Sequence, residues 1–544
     1  MTRLRIGSIF LFVGVLLSFA FSSLPSNREF EISKNLEIFA NLYRELNHGY
    51  VDEIDPGVLM RTGLEAMVRS LDPFTNYWPE SEIERVRILQ EGNASGVGLS
   101  FRLLDQKVVV TDVFKDMSAD KAGVRIGDYI TAVDGRPIQG RSAEDVEYLL
   151  RGMAGTTVQI SLQKPRSKEE QRVSLLRDEH EAPNVPYSTL LDGDIAYVSL
   201  TTFTQAAGRN VANAFRDLRQ KNPQLKGVIL DLRNNGGGLL NEAVNVCNVF
   251  IPQNQLVVTT KGKLREQDRS YRTSGEAIDE GLPLAVIINK HSASASEIVS
   301  GVMQDYDRGI LIGQRSYGKG LVQNTMDIGY NARLKLTTAK YYIPSGRCIQ
   351  SVEYQNGEPV DIPTDRRALF KTRNGRSVYD GGGVSPDLYV NQPENIPVIR
   401  TLLDQGIILH FATRYCENIA QPTSVESFRF QDFEQFITYL SQGAFTLNTE
   451  SEKILEQLRE KTTKEGYSLQ SGLDALQKEL TASQLDLIRK NKDLVTKLIE
   501  QEIIGRYFYQ AGRIQIGLAR DQEIAEALKV LKDPARYKSL LNKE

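Results

Sequence analysis

The sequence is poor in the residues that most often bind metals or act as catalytic bases, with three cysteines and four histidines among 544 residues. Cys247, Cys348 and Cys416 are far apart and odd in number, which excludes a full disulfide framework or a four-thiolate zinc site. The HExxH motif of zinc proteases is also absent. We therefore predict that the protein uses no metal and no other cofactor.

An excess of positive charge is missing as well. Lysine and arginine number 66 against 69 aspartates and glutamates, a formal net charge of −3. A nucleic-acid-binding protein of this size usually carries a basic excess, so no nucleic-acid partner is predicted. The remaining composition, 41% hydrophobic and 25% charged, excludes a wholly disordered, collagen-like or many-span membrane protein. At roughly 100–200 residues per domain, the length predicts about three or four domains.

An uncharged apolar run opens the chain. Residues 6–21 (IGSIFLFVGVLLSFAF) follow Arg3 and Arg5, and the next charge is Arg28. Basic residues before a short apolar run are typical of a signal peptide or an uncleaved N-terminal anchor. The run is shorter than the ~20 residues of a comfortable membrane span. Export is predicted, and the alternatives of cleavage and anchoring both stay open.

The rest of the chain divides into regions of different sequence pattern. Apolar residues at helical spacing precede a break at Pro73, and short β runs with one helix over 142–150 follow. Strands and helices then alternate, which predicts an α/β fold around a mostly parallel sheet. Residues 354–380 are charged and predicted to be a loop-like insertion, and a helical region ends the chain.

A strand-to-turn-to-helix unit is the strongest local feature. An apolar strand over 285–288 leads into the sequence SASASEIVSG, which begins at Ser292. Such a turn presents one side chain and points free helix N–H groups at whatever binds there. On this segment alone, a serine is either an exposed nucleophile beside an oxyanion-binding N–H or a helix cap, and the cap is favoured.

Two other turns contain glycines. Residues 231–239 (DLRNNGGGL) predict either an anion-binding concavity or a tight turn. Residues 313–320 (GQRSYGKG) match most of the phosphate-loop pattern G-x-x-x-x-G-K-[ST]. Gly320 stands where the magnesium-binding hydroxyl would be, and a strand rather than a helix is predicted after it. Nucleotide binding is therefore disfavoured.

A serine nucleophile would need a base. His291 lies three residues before Ser294, with no obvious acid to orient it. A lysine can serve instead when burial lowers its pKa and leaves it neutral. Lys319, between two glycines, is the natural candidate, with an exposed loop lysine as the alternative. Gln323, four residues later, could hold the amine by a hydrogen bond.

The segment SASASEIVSGVMQDYDRGILIGQRSYGKGLVQ resembles the active-site region of the C-terminal processing peptidases, also called tail-specific proteases. These are Ser-Lys endopeptidases of bacterial envelopes and chloroplasts, and the resemblance covers about residues 36–390. It implies that Ser294 is the nucleophile, that Lys319 is the general base and that Gln323 orients the lysine. The 25 residues between Ser294 and Lys319 match the family pattern.

The resemblance also implies an oxyanion hole, made by the N–H of Ala295 and that of Gly237, with Gly238 as the alternative. The sequence departs from many members at two positions, Gly236 in place of proline and Cys348 in place of serine or threonine. Neither departure touches the proposed dyad.

The same family carries a PDZ domain ahead of its protease core. Residues 95–101 (SGVGLSF) resemble the PDZ carboxylate-binding loop, and residues 117–130 (MSADKAGVRIGDYI) resemble the segment that follows it. A PDZ domain adds a chain end as an extra strand and binds its terminal carboxylate through backbone N–H groups. The helix over 142–150 would form the other wall of that groove. The implied peptide-binding residues are Gly96, Val97, Gly98 and Leu99.

Together these features predict an exported serine endopeptidase that cleaves proteins selected by their C-terminal tails. The expected location is the bacterial cell envelope, in the periplasm or anchored to the inner membrane. The expected partners are protein or peptide substrates, with an N-terminal anchor and self-association as further expectations. A catalytically silent PDZ scaffold that binds tails without cutting them is the alternative from a different functional class.

The predicted fold is a multidomain α/β protein, and the resemblance assigns no role to its C-terminal helical domain. The predicted divisions are a signal peptide or anchor over 1–27, an N-terminal helical region over 28–93, a β-rich PDZ domain over 94–176, a serine protease core of mostly parallel sheet with helices over 177–392, and a helical domain over 393–544.

Overall fold

A computed structural model of the chain describes residues 27–83, 94–178, 183–263, 265–390, 396–441, 447 and 449–542. The predicted signal or anchor segment, apart from Asn27, lies outside the described residues. Within the ranges that the structure describes, no helix is long and apolar enough to cross a membrane.

The N-terminal region is mainly helical, as its sequence pattern predicts. The elements are α1 (Asn27–Gly49), α2 (Pro56–Arg69) and β1 (Asn76–Trp78). Asp55 caps α2 by accepting hydrogen bonds from the N–H groups of Gly57 and Val58, and Pro56 takes the first helical position. Strand β1 departs from the predicted helical pattern because it pairs with a strand more than 250 residues away, Arg333–Tyr342. A local pattern cannot reveal such a pairing.

The next region is a small β domain with one longer helix. Its elements are β2 (Ala94–Ser95), β3 (Leu99–Leu104), β4 (Lys107–Val113), α3 (Ser118–Lys121), β5 (Tyr129–Val133), β6 (Arg136–Pro137), α4 (Ala143–Leu150), β7 (Gly152–Met153), β8 (Thr157–Gln163) and β9 (Glu170–Leu176). The sheet order is β3-β4-β5-β8-β9, so β3 lies at an edge. Ser142 and Asp145 form a capping box at the start of α4, where the sequence predicts a helix.

Strands and helices then alternate, as predicted. The elements are β10 (Tyr187–Leu191), β11 (Ile195–Ser199), α5 (Ala207–Lys221), β12 (Gly227–Asp231), α6 (Leu240–Phe250), β13 (Leu256–Gly262), β14 (Arg269–Arg272), β15 (Leu284–Ile288), α7 (Ala295–Asp305), β16 (Ile310–Gly313), β17 (Leu321–Asp327), β18 (Arg333–Tyr342), β19 (Val352–Gln355), β20 (Glu358–Asp361), β21 (Leu369–Lys371), β22 (Ser377–Tyr379) and β23 (Leu388–Tyr389).

A six-stranded sheet of order β10-β11-β12-β15-β16-β23 forms the centre of this region. Strand β10 is antiparallel to β11, and the other neighbours are parallel, which confirms the mostly parallel sheet. Strands β11, β12, β15 and β16 are wholly buried, because apolar layers cover both faces of the sheet. A second sheet joins β1, β18, β13 and β14, with β17 paired to β18.

The prediction of a loop-like insertion over 354–380 is wrong in part. Two short antiparallel hairpins, β19–β20 and β21–β22, lie there. Their residues are mostly exposed and many are charged, so the alternation of apolar and polar residues that indicates a strand is weak.

The last part of the chain is helical, as predicted, and we call residues 396–542 the C-terminal helical region. Its helices are α8 (Pro397–Asp404), α9 (Ile407–Cys416), α10 (Phe433–Ser441), α11 (Glu450–Lys464), α12 (Gln470–Lys490), α13 (Lys492–Leu518), α14 (Gln522–Leu531) and α15 (Pro534–Leu541). Apolar residues of α14 and α15 pack against one face of the six-stranded sheet. At its other side this region meets the small β domain, where Arg513 pairs with Asp112.

Candidate active site

Three loops leave the same edge of the six-stranded sheet. Strands β12, β15 and β16 are adjacent and parallel, so their carboxyl ends lie together. Loops at this edge are the usual place for a site in such sheets. We call residues 232–239 the glycine turn, residues 289–294 the nucleophile turn and residues 314–320 the lysine loop. Gly237, Ser294 and Lys319 lie in these loops, whereas Ala295 begins the helix after the second loop and Gln323 lies on the strand after the third.

Ser294 ends the nucleophile turn and stands at the head of α7. Its backbone has φ 56° and ψ −114°, which is uncommon for a residue with a side chain and stores strain at the turn. Ala295 is the first residue of α7, and its N–H donates to no acceptor among the described residues. A hydrogen bond joins this turn to the neighbouring glycine turn, because Ser292 Oγ donates to the Leu232 carbonyl at 2.8 Å. The serine and an unpaired helix N–H therefore lie side by side.

The glycine turn packs directly against the serine. A Cβ on Gly237 would lie 2.7 Å from the Ala293 carbonyl oxygen and 2.9 Å from the Ala295 nitrogen, and its φ is +97°. Only glycine fits this approach. The Gly237 N–H donates to Asn235 Oδ1 at 2.9 Å, whereas the Gly238 N–H has no acceptor among the described residues. An oxyanion donor at Gly237 would have to share or exchange that bond, and Gly238 stays the alternative.

Lys319 lies half-buried in the lysine loop, between two glycines that a side chain would not fit. A Cβ on Gly318 would lie 2.3 Å from Ser351 Cβ, and one on Gly320 would lie 2.8 Å from the Gln350 nitrogen. Burial and the nearby positive charge of Lys335 lower the pKa of Lys319, opposed by Glu297. A lowered pKa increases the neutral fraction that a base needs.

The lysine amine contacts an aromatic ring. Lys319 Nζ lies 4.5 Å from the ring centroid of Phe74, and that ring meets Tyr354 edge-on. Asp72 shapes this segment by accepting hydrogen bonds from the N–H groups of Phe74 and Thr75. Among the described hydrogen bonds, none joins Lys319 Nζ to Ser294 Oγ. Sequence reasoning did not place Phe74 here, because nothing local links the N-terminal region to the lysine.

The carboxylate of Glu297 joins the serine and the lysine. It is fully buried and accepts hydrogen bonds from the Ser294 N–H at 2.8 Å, the Gly318 N–H at 2.6 Å, the Lys319 N–H at 2.9 Å and the Ser316 hydroxyl at 2.5 Å. Burial raises the pKa of Glu297 to about 6, and these hydrogen bonds oppose the rise. Glu297 is not among the site residues predicted from the sequence, although its S-x-x-E spacing from Ser294 is that of a capping box.

Gln323 lies on β17, four residues after Lys319 in the chain. Its Nε2 donates to Thr337 Oγ1 on β18 at 3.2 Å. The predicted hydrogen bond to the Lys319 amine is not among those of the described residues. The Thr337 N–H in turn donates to Thr75 Oγ1 at 3.3 Å. Gln323 is therefore near the lysine in the chain and is held by the sheet that carries β1.

Residues 313–320 do not continue as a phosphate loop. Strand β17 begins at Leu321, where a nucleotide-binding loop requires a helix. The described residues also contain no group of three or more His, Cys, Asp or Glu side chains placed to hold a metal ion.

The predicted carboxylate-binding loop lies beside the edge strand β3. The carbonyls of Gly96, Val97 and Gly98 accept hydrogen bonds from neighbouring backbone, and Val97 is buried. The N–H groups of Val97 and Gly98 donate to no acceptor among the described residues. Gly98 has φ +79°, and a Cβ there would lie 2.4 Å from Met117 Cβ. The loop thus presents unpaired donors next to an open strand edge.

Comparison with protein families matches three parts of the chain. Residues 194–362 match peptidase family S41, residues 95–175 match a PDZ domain, and residues 398–531 match the C-terminal helical domain of a probable PDZ-protease. The third match covers the helical region to which the sequence assigned no role.

Similar proteins point the same way. A carboxy-terminal-processing protease of Bartonella bacilliformis is 34% identical over 350 residues, covering 63% of this chain and 80% of that protein. A probable CtpA-like serine protease of Staphylococcus haemolyticus is 27% identical over 83% of this chain and 84% of its own. Among solved structures, a photosystem II D1 C-terminal processing protease is 28% identical, with a TM-score of 0.38, over 66% of this chain and 93% of that one. The chain therefore belongs to the carboxy-terminal-processing proteases of peptidase family S41 and is a serine-type peptidase.

Proposed function

We propose that this peptidase uses Ser294 and Lys319 as a catalytic dyad and selects substrates by their C-terminal tails. The observation that carries the dyad is the shared carboxylate of Glu297, which accepts hydrogen bonds from the N–H groups of both residues. One buried group therefore fixes the backbone of nucleophile and base relative to each other. The unpaired N–H of Ala295 supports an oxyanion site beside the same serine.

In the proposed reaction, Ser294 Oγ attacks the scissile carbonyl while neutral Lys319 accepts its proton. The developing oxyanion lies against the Ala295 N–H and a glycine N–H of the glycine turn, from Gly237 or Gly238. The lysine then protonates the leaving amine, and water hydrolyses the acyl-enzyme. Since no hydrogen bond joins Lys319 Nζ to Ser294 Oγ among the described residues, the amine has to come within hydrogen-bond reach of the serine before the proton moves.

Tail selection is supported by the geometry of the small β domain. Strand β3 is an edge strand, so an extended peptide can pair with it. The unpaired N–H groups of Val97 and Gly98 are suited to a terminal carboxylate, with Gly96 and Leu99 on either side. We propose that this domain binds substrate chain ends before cleavage.

One unfolded substrate, made with a free and with an amidated C-terminus, tests the tail proposal. We expect amidation to raise KM about tenfold, because it removes the charge that the N–H groups hold. Gly98→Val should remove the preference for the free terminus, because its side chain would strike Met117. Lys168→Ala is the control, since this exposed residue lies in the same domain between β8 and β9, outside the peptide-binding loop. Equal rates for both substrates with the unaltered enzyme would exclude tail selection.

The silent-scaffold alternative is tested separately. Ser294→Ala should bind the free-terminus substrate as well as the unaltered protein and fail to cleave it. Cleavage that persists in this variant would reject Ser294 as the nucleophile.

We also propose a location in the cell envelope. The apolar run over 6–21 behind Arg3 and Arg5 supports export, as a cleaved signal or as an anchor. Fractionation of cells that express the full chain, with N-terminal sequencing of the product, distinguishes these two outcomes. Recovery of the uncleaved chain from the cytoplasm would contradict the proposal.

A further inference from the structure

Arg233, in the glycine turn, is held by carboxylates from two distant parts of the chain. Its Nη2 lies 2.6 Å from Asp231 Oδ2, at the end of β12. Its Nη1 lies 2.7 Å from Asp521 Oδ2 and 2.5 Å from Glu523 Oε2, both in the C-terminal helical region. The Glu523 side chain is 1% exposed and that of Asp521 is 7% exposed. Buried, charge-assisted contacts of this kind hold geometry strongly.

The two carboxylates lie at the first turn of α14. Asp521 caps this helix by accepting hydrogen bonds from the N–H groups of Glu523 and Ile524. The first turn of α14 also lies close to β16, the strand that precedes the lysine loop. Glu523 Oε1 would lie 3.0 Å from a Cβ on Gly313, the last residue of β16. The start of α14 therefore lies under the sheet edge from which the glycine turn and the lysine loop leave.

Arg233 lies four residues before Gly237, which packs against the nucleophile. The Arg233 N–H donates to Asp231 Oδ1 at 3.0 Å, and the next residue, Asn234, has φ 57° and donates its N–H to Asn289 Oδ1. The entry to the turn is thus fixed by the arginine on one side and by the nucleophile turn on the other. Loss of the α14 carboxylates would leave the buried guanidinium with Asp231 as its acid partner among the described residues.

We propose that Asp521 and Glu523 are positioning residues of the active site, through which the C-terminal helical region holds the glycine turn in its catalytic geometry. The residues act through Arg233 and touch no substrate. This inference rests on the proposed oxyanion role of the glycine turn. An error of about 1 Å in such a turn can cost roughly 10²-fold in rate.

The chain offers a rescue variant and a matched control for the test. Glu523→Ala removes one acceptor from Arg233, and Glu523→Gln keeps an oxygen in its place. Lys532→Ala breaks an exposed ion pair with Asp192, which also joins the α14 end of the chain to the sheet region but lies away from the site. The full-length chain is used throughout, with a quenched peptide substrate for kcat and KM. Amide hydrogen exchange of a peptide covering 232–239 reports on the turn directly.

We expect Glu523→Ala to lower kcat about tenfold with KM within roughly twofold, and to speed exchange in residues 232–239. Glu523→Gln should return kcat to within about threefold of the unaltered enzyme, and Lys532→Ala should change neither readout. If Glu523→Ala does not fold, Asp521→Ser, which keeps a capping hydroxyl and removes the carboxylate that contacts Arg233, should show the same two changes.

Unchanged kcat and exchange in the variant that folds would overturn the inference, as would a fall in kcat without faster exchange at the turn. An equal loss in Lys532→Ala would overturn it too, since it would indicate general loosening. If the unaltered enzyme cleaves no peptide, the proposed function fails, while the exchange comparison still decides whether α14 holds the turn.

Discussion

The two halves of the active site are built in different ways. The nucleophile half, Ser294 with the glycine turn, comes from two adjacent buried strands and is closed by short hydrogen bonds such as that from Ser292 Oγ to Leu232. The base half draws on three separate segments: the lysine loop, β17 with β18, and the N-terminal segment that carries Phe74. Lys319 is half-buried, and its amine lies over the Phe74 ring. Among the described residues, no hydrogen bond joins this amine to Ser294 Oγ.

Because the two halves are built differently, we expect their residues to differ in how far they can move. The nucleophile half lies between the ends of β12 and β15, and hydrogen bonds such as that from the Asn234 N–H to Asn289 Oδ1 join its two loops. The base half is held by contacts between residues that are far apart in the chain, such as Lys319 and Phe74. Its amine can move because the lysine side chain is flexible. In the proposed mechanism, we therefore expect the lysine amine to move more than the serine does.

Removal of either member of the dyad should be the most damaging change. Ser294→Ala and Lys319→Ala should each lower kcat by about four orders of magnitude or more, because neither group acts without the other. Lys319→Arg should be equally inactive, since a guanidinium stays charged and accepts no proton. Single-turnover peptide cleavage measures the loss, with thermal unfolding as the check on folding. Near-normal turnover in Lys319→Ala would reject the Ser-Lys mechanism.

Loss of the carboxylate that joins the two halves should come next. Glu297→Ala would leave the N–H groups of Ser294, Gly318 and Lys319 without their shared acceptor, and should lower kcat roughly 10²-fold. Ser316→Ala is the control, because it removes one donor to the same carboxylate, together with the acceptor of the Val384 N–H, and leaves the three backbone bonds to Glu297 in place. If both variants lose activity equally, the joining role of Glu297 is wrong.

The two halves also differ in how far sequence could predict them. The strand–turn–helix unit at Ser294 and strands such as β15 follow from local apolar runs and small residues, so pattern and structure agree. The capping-box spacing could have revealed Glu297, since it spans three residues. Phe74 beside Lys319, and Arg233 beside Asp521, could not be predicted this way, because no local periodicity encodes a contact between residues about 245 or 288 positions apart.

Acidification should lower activity through both halves. In the proposed mechanism the reactive lysine is neutral, so kcat/KM should fall about tenfold per pH unit below the pKa of Lys319, which burial holds under its usual value of 10.5. Glu297 accepts four hydrogen bonds as a carboxylate, and below its pKa of about 6 a proton would displace one of those donors. The fall should steepen there. A pH profile of kcat/KM for the unaltered enzyme and for Glu297→Gln checks this, since the amide should lose the steeper part.

The smallest effect should come from the ring under the lysine. Phe74→Leu removes a contact that stabilises the ammonium, a contact worth about 0.5–1 kcal/mol, so the pH profile should move down by roughly half a unit. At a pH below the lysine pKa, this is about a threefold gain in kcat/KM. Tyr354→Leu, which touches the ring edge and not the amine, is the control. A shift to higher pH would show that Phe74 assists the base instead of holding its charged form.

Because α14 and α15 cover one face of the six-stranded sheet, the sheet can be completed only after these helices have been synthesised. A ribosome makes the chain from its N-terminus, so residues 522–541 are synthesised after the strands that they cover. Until they arrive, the apolar sheet face that includes Ile229, Ile287 and Ile312 has no cover, and the carboxylates that pair with Arg233 do not yet exist. An unfinished chain is therefore an incomplete enzyme.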